Sequence, residues 1–306
     1  MKINDVYREI CDNPHDDAPR LEFARLIEPS DRTWAAFIRH EIDATNMYRA
    51  GDVPDTYQTP SAASRWAAPL LPLAARGMIH NIKFHRGFPS LIQMHPGVFA
   101  EYGEQIFKLA PIRHVDFAAP YDEEGNIYVD ERGRDEKFPI DQVLASPAVA
   151  RLESIGLELL RLPRDWAKQV VACPRLDNCM YLSLHRSVHT HGDLIELLES
   201  PAMRKLVFLR SKYVGGDGES SKLGLHSARS HGQGGPETTT YFYGELTKTL
   251  EAKYGYIPWL HVKGMQRLDL HWYVANGRYP KFPAGSLPPK DEWYEVPAPL
   301  YHRATW

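Results

Sequence analysis

Three prolines, Pro147, Pro174 and Pro201, stand twenty-seven residues apart and open near-copies of one pattern. After each, apolar residues return at fixed offsets: Leu152, Ile155 and Leu157, then Cys179, Leu182 and Leu184, then Leu206 and Leu209, with Ser211 breaking the third set. Alternation of this kind is the mark of a short strand with one face inward. Ahead of each proline runs a segment, DQVLAS, DWAKQVVAC or DLIELLES, whose apolar residues lie three and four apart, on one face of a helix. A unit of helix, turn and strand cannot bury both its apolar faces alone. It must stack on copies of itself, strand beside parallel strand.

Twenty-seven residues is the length of a leucine-rich repeat. The expected fold class is therefore α/β: a degenerate leucine-rich-repeat-like solenoid, parallel strands concave and helices convex, with a small all-helical module at the N-terminus. The same offsets predict further strands at Ile79, Ile82 and Phe84, at Ile112, Val115 and Phe117, and at Met265, Leu268 and Leu270. Two more helices are expected in GVFAEYGEQIFKLA, stopped by Pro111, and YFYGELTKTLEAKYG, stopped by Gly255. The expected boundaries are a module at 1–46, a linker at 47–61, the solenoid at 62–275 and a cap or tail at 276–306. Insertions at 120–137 and 213–240 break the repeat. The first is charged, with a candidate hairpin strand in IYV; the second is rich in glycine and serine and is expected to be mobile. Prolines in the tail argue against regular helix or central strand, so it is expected to wrap over the open edge of the last repeat.

Residues 1–46 predict three helices, INDVYREIC, PRLEFARLI and RTWAAFIRHEIDA, joined by polar turns. Asp17 precedes the second helix, with Pro19 in its first turn, and Asp31 precedes the third. Leu21, Ala24, Leu26 and Ile27 are spaced to face inward on the second, and Trp34, Phe37 and Ile38 on the third.

The run N-P-x-D-D-x-P-R-L-x-x-A-x-x-I-E followed by F-I-R, from Asn13 to Arg39, resembles the bacterial repeat-companion domain, a short N-terminal module. Members of that family are commonly followed by leucine-rich-like repeats, so the resemblance implies architecture. It implies no catalytic activity. The chain departs from the family's usual pattern at Arg25 and Leu26, where an aspartate and a tryptophan are usual, and at Pro29 to Asp31, in place of a glycine-aspartate turn.

A net charge of −3, with lysine and arginine nearly balancing aspartate and glutamate, supplies no global basic field for nucleic acid or an anionic membrane. Charges in the first ten residues argue against a signal peptide, so the expected location is cytoplasmic, with neither membrane nor nucleic-acid partners. Three cysteines, Cys11, Cys173 and Cys179, are too few for a disulfide framework and lack redox or zinc spacing.

Residues between the inward leucines name the opposite, concave face. The expected partner-binding set is Tyr181, Ser183, His185, Phe208, Arg210, Lys212, Asp269 and His271, rich in the aromatic and arginine side chains that concentrate binding energy. On this basis the chain is expected to be a non-catalytic scaffold or recognition protein that holds a protein or peptide and needs no cofactor. One alternative is a metal-dependent enzyme, or a subunit of one, using His185, His189, His191 and Asp193, which fall within nine residues. The other is a scaffold that grips its partner through the N-terminal helices.

Overall fold

The computed structural model describes residues 2–50, 63–118, 139–157, 162–184, 191–211, 225–227, 240–242, 245–260, 262–264, 270–276, 294–295 and 302–304. In chain order its elements are α1 (Ile3–Asp12), α2 (Ala18–Ile27), α3 (Arg32–Ala50), α4 (Ala63–Trp66), α5 (Leu71–Ala74), β1 (Ile79–His85), β2 (Phe88–Met94), α6 (Pro96–Leu109), β3 (His114–Phe117), α7 (Ile140–Ala145) and β4 (Ser154–Leu157). There follow α8 (Trp166–Ala172), β5 (Tyr181–Leu184), α9 (His191–Leu197), α10 (Pro201–Arg204), β6 (Phe208–Ser211), β7 (Leu225–Ser227), β8 (Thr240–Phe242), α11 (Glu245–Tyr254), β9 (Val262–Gly264), α12 (Leu270–Ala275), β10 (Tyr294–Glu295) and β11 (His302–Ala304).

The main sheet is mostly parallel and open, in the order β11-β1-β2-β3-β4-β5-β6. From β2 to β6 every neighbouring pair is parallel and follows chain order. Strands β4, β5 and β6 begin at 154, 181 and 208, so the twenty-seven-residue interval of the prolines is the interval of the strands. Helices α6 to α9 pack side by side in the same order. Between the two layers lies the main core, which takes Ile155, Leu157, Leu182, Leu184 and Leu209 from the strands and Phe99, Ile106, Val143, Trp166 and Leu194 from the helices. Helix α6 opens on Pro96 behind a His95 cap, whose Nδ1 accepts from the Gly97 amide 3.2 Å away. Helix α11 ends at Gly255, whose φ of +81° is the left-handed stop that glycine supplies without a Cβ penalty.

Strand β2 has no counterpart in the expected set, yet it begins the parallel series. It returns antiparallel from β1 through a two-residue turn, Arg86 and Gly87, both at positive φ (52° and 82°). Paired positive φ values match the right-handed twist of a hairpin. Pro89, which has no amide hydrogen for a ladder, pairs with Phe84 where the register shifts between Lys83 and Phe84.

That hairpin tip joins the N-terminal helices to the sheet. Phe88 is fully buried among Val6, Ile10, Phe23, Ala24, Ile27, Ala35, Ile38 and Ile42, and its ring meets Phe23 at 5.4 Å and Trp34 at 5.7 Å between centroids. The Gly87 carbonyl accepts from the Trp34 indole at 2.9 Å. Asp31, just before α3, accepts from the Trp34 amide at 3.0 Å and the Trp66 indole at 3.1 Å, which ties α3 to α4. Burial would raise the Asp31 pKa, but these donors and Arg65 hold it below the usual carboxylate value.

Several expectations are corrected. Leu21, expected to face inward on α2, is 43% exposed, and Phe23 is buried in the module core. Helix α3 runs on to Ala50, past residue 46 where the linker was expected to start. Leu270, expected to close a last strand, begins helix α12. The tail, expected to cover the last repeat, supplies β11, which pairs antiparallel with β1 at the opposite edge. Part of the glycine-rich insertion is ordered, since β7 pairs antiparallel with β8. The first insertion lies outside the described residues, as do 51–62 of the expected linker.

Gly87→Ala should undock the module. The new Cβ would lie 2.4 Å from Ile38 Cγ1 and 2.7 Å from Ile38 Cα, at a φ that non-glycine residues resist. Left-handed strain and overpacking together predict a loss of about 2–4 kcal/mol, read as a lower denaturation midpoint.

Candidate functional site

The strand row expected to be an open concave surface is buried where it is described. Tyr181 is 5% exposed, Ser183 0% and Phe208 5%, and His114, Asp116 and Ser154 beside them are buried too. Tyr181 packs on Phe208 at 5.0 Å between centroids, and both join Val207 and Leu270 in a small apolar cluster with Met180 and Val274. Helix α12 therefore covers this part of the row. Two of the polar members meet across the ladder, where His114 Nδ1 lies 3.0 Å from Ser154 Oγ, while Ser183 Oγ is buried without a hydrogen-bond partner. Asp116 uses the space left by Gly156, where a Cβ would come within 1.9 Å of its Oδ1. A histidine-serine pair with an acid nearby suggests nucleophilic chemistry, but His114 is 1% and Ser154 0% exposed, so both side chains are packed in the interior. Of the remaining expected residues, Arg210 lies in β6, and His185, Lys212 and Asp269 fall outside the described residues. His271 is on α12, not on a strand.

An open concavity lies at one end of the strands. It encloses about 600 Å³ between the α1–α2 turn, the turns that lead into β3, β4, β5 and β6, and α12. Its construction starts with the α1–α2 turn, residues 13–17, and the last turn of α1 before it, whose carbonyl groups four arginines hold. Arg86, on the hairpin tip, donates to Pro14 O at 2.9 Å, His15 O at 3.0 Å and Asp17 Oδ1 at 2.8 Å. Arg20 donates to Pro14 O at 2.7 Å and lies over the Phe88 ring. Arg113 and Arg151 both donate to Cys11 O, at 3.1 Å and 3.2 Å, and both sit over the Phe107 ring. Cys11 O belongs to the last turn of α1, where unpaired carbonyls and the helix dipole favour cations.

Crowding of these cations has an electrostatic cost. Burial, with Arg86 alongside, pushes the Arg20 guanidinium down to about 9. Burial, with Arg151 alongside, pushes Arg113 down to about 10. Both remain charged at neutral pH, and Asp17 and Glu153 supply the balancing charge. Burial drives the Cys11 thiol up to about 11, so it is a packed side chain and not a ready thiolate. Cys173 and Cys179 are likewise free and buried.

One register position lines the cavity floor, the residue just before each strand: Arg113, Glu153, Met180 and Val207. It passes from charged to apolar along the sheet. Arg151, Asn178 and Lys205 form the next row out, and Asp12 and Asp177 lie on the rim. On the wall, His15 Nε2 meets Glu153 Oε1 at 2.5 Å, and the His15 ring stacks on His271 of α12 at 3.7 Å and 7°. Trp272 stacks beneath Arg49 of α3, which also reaches Asp17 at 3.7 Å. Sequence reasoning missed His15, Glu153 and the arginines. The available signal was positional, since the slot before each strand repeats with the strands.

Of the alternative metal cluster, His185 and His189 lie outside the described residues, while His191 and Asp193 are in the first turn of α9. Among the described residues no group of three histidine, cysteine or carboxylate side chains converges as a metal site would require. No helix among them is long and apolar enough to cross a membrane. Comparison with protein-family models, curated proteins and solved structures found no match to this chain.

Arg86→Met should test how the cavity wall is built. Its side chain is 3% exposed, and its loss removes one donor each from Pro14 O, His15 O and Asp17. The expected loss is about 2–4 kcal/mol by chemical denaturation, whereas Arg25→Met on the surface should leave the midpoint nearly unchanged.

Proposed function

We propose that the chain is a non-catalytic recognition protein, a leucine-rich-repeat-like solenoid fused to a repeat-companion-like helical module, that holds a protein or peptide segment in the cavity between them. The solenoid reading is supported by the constant strand interval, the parallel sheet in chain order and the helix layer that follows it. The single observation that carries the binding site is the cavity itself, of about 600 Å³, formed by six stretches of the chain.

Its chemistry suits a chain segment. Met180, Val207 and Val274 supply apolar lining, and Arg151, Lys205, Asp12 and Asp177 bring charges of both signs to it. A peptide with one apolar anchor flanked by charges would bury the anchor and meet both signs at the rim, where charge selects register more than it adds affinity. This shifts the expected contacts from the buried Tyr181 and Phe208 to the turns one end of the strands.

The double variant Asp177→Lys with Lys205→Glu tests the site at two exposed positions. Peptides selected by display on the intact protein should bind the variant at least tenfold more weakly, with its thermal midpoint unchanged. Equal affinity for wild type and variant would place the partner elsewhere.

A further inference from the structure

Arg20 and Arg86 share one acceptor. The Nη2 atom of each donates to Pro14 O, at 2.7 Å and 2.9 Å, and both side chains are buried. The side edge of a guanidinium, Nε with Nη2, grips an anion through two parallel donors, as Arg25 grips Glu22 on the surface at 2.8 Å and 2.7 Å. At Pro14 each edge is half used. Nη2 is engaged, whereas Nε of Arg20, Nε of Arg86 and Nη1 of Arg20 are buried without a hydrogen-bond partner. Buried donors on charged groups are costly to leave unmade.

Negative charge is short at the same place. Of the groups that act most strongly on Arg20, only Asp17 is a carboxylate, and it already bonds Arg86 at 2.8 Å. Cys11 and Tyr7 also act on Arg20, but they offset a cation only as thiolate and phenolate. Burial pushes both the other way, Cys11 up to about 11 and Tyr7 well above its ordinary value, so both are neutral at physiological pH. Arg20 is moreover the third residue of α2, where the positive end of the helix dipole adds to the two guanidinium groups.

We propose that a monatomic anion, chloride being the common one, binds beside Pro14 O, accepts from Nε of Arg20 and Nε of Arg86, and fastens the N-terminal module to the hairpin tip. A monatomic ion suits the place. It asks for no fixed lone-pair direction, so two edges that already share an acceptor can meet it, and it fills about the volume of one water molecule, about 30 Å³. Phosphate or a carboxylate needs more room, among side chains that are 2% exposed. A water molecule offers the same two hydrogens an oxygen but leaves the second charge without a counter-ion. Arg20 belongs to the module and Arg86 to the sheet, so the ion has both donors only while the two are docked. This holds whether or not a partner occupies the cavity.

Two measurements on the full chain test the site. At neutral pH and constant ionic strength, exchanging gluconate for chloride or bromide should raise the thermal midpoint by about 3–6 °C in a saturating way, because an ion bound only by the folded state stabilises it. Arg20→Lys, which keeps the charge and removes Nε, should shift by less than about 1 °C over the same exchange. Arg86→Lys serves the same purpose if that variant does not fold, and the second measurement needs neither. In crystals grown from bromide, an anomalous peak should stand about 3.3 Å from Nε of both arginines, the reach of a hydrogen bond to a halide. A wild-type midpoint that does not respond, a variant that responds as the wild type does, or a water standing in that place without an anomalous peak would each overturn the proposal.

Discussion

The N-terminal helices meet the sheet most closely at one hairpin tip. Arg86, Gly87 and Phe88 are consecutive, and each makes a different kind of bond to the helical module: ionic and polar to the α1–α2 turn, backbone to Trp34 and Ile38, apolar to the module core. The tip achieves this because both turn residues adopt positive φ, which costs Arg86 the energy of an unfavourable backbone region. That strain is tolerated where several contacts fix the conformation at once. Phe88 could not reach the module core if β1 ran directly into a helix.

The same tip explains why four arginines gather around one turn. The α1–α2 turn offers carbonyl oxygens at the end of a helix, and planar guanidinium groups with several donors are suited to collect them. Burial, and after it mutual repulsion, lowers the proton affinity of Arg20 and Arg113, while Asp17 and Glu153 act in the opposite direction. The cavity lies where the α1–α2 turn, the turns that lead into β3 to β6 and α12 come together.

The repeat was legible because its determinants are local. Strand and helix stripes at Ile155, Leu182, Leu209 and Trp166 obey fixed periods, and a buried layer tolerates no other register. Gly255 and Asp31 were legible for the same reason, since a stop or a cap acts within one turn. Strand β2 was not, because Pro89 argues against a strand and only the bulge opposite Phe84 makes room for it. Leu21 misled because α2 presents Arg20 and Phe23 inward, a choice made by the partners Pro14 and Phe88 rather than by hydrophobicity. Alternation placed Tyr181 and Phe208 on the face opposite the leucines, but it carries no information on what lies over that face.

By itself, then, the sequence determined the parallel series of strands, the helices that alternate with them and the three-helix start, since each follows from periodicity and capping within about thirty residues. The tertiary structure alone decided which face stays open. It brought His15, Glu153 and His271 together from positions more than a hundred residues apart, set α12 over the strand row and returned β11 to the first edge. Burial and side-chain pairing across such distances depend on docking geometry, and local patterning does not encode it.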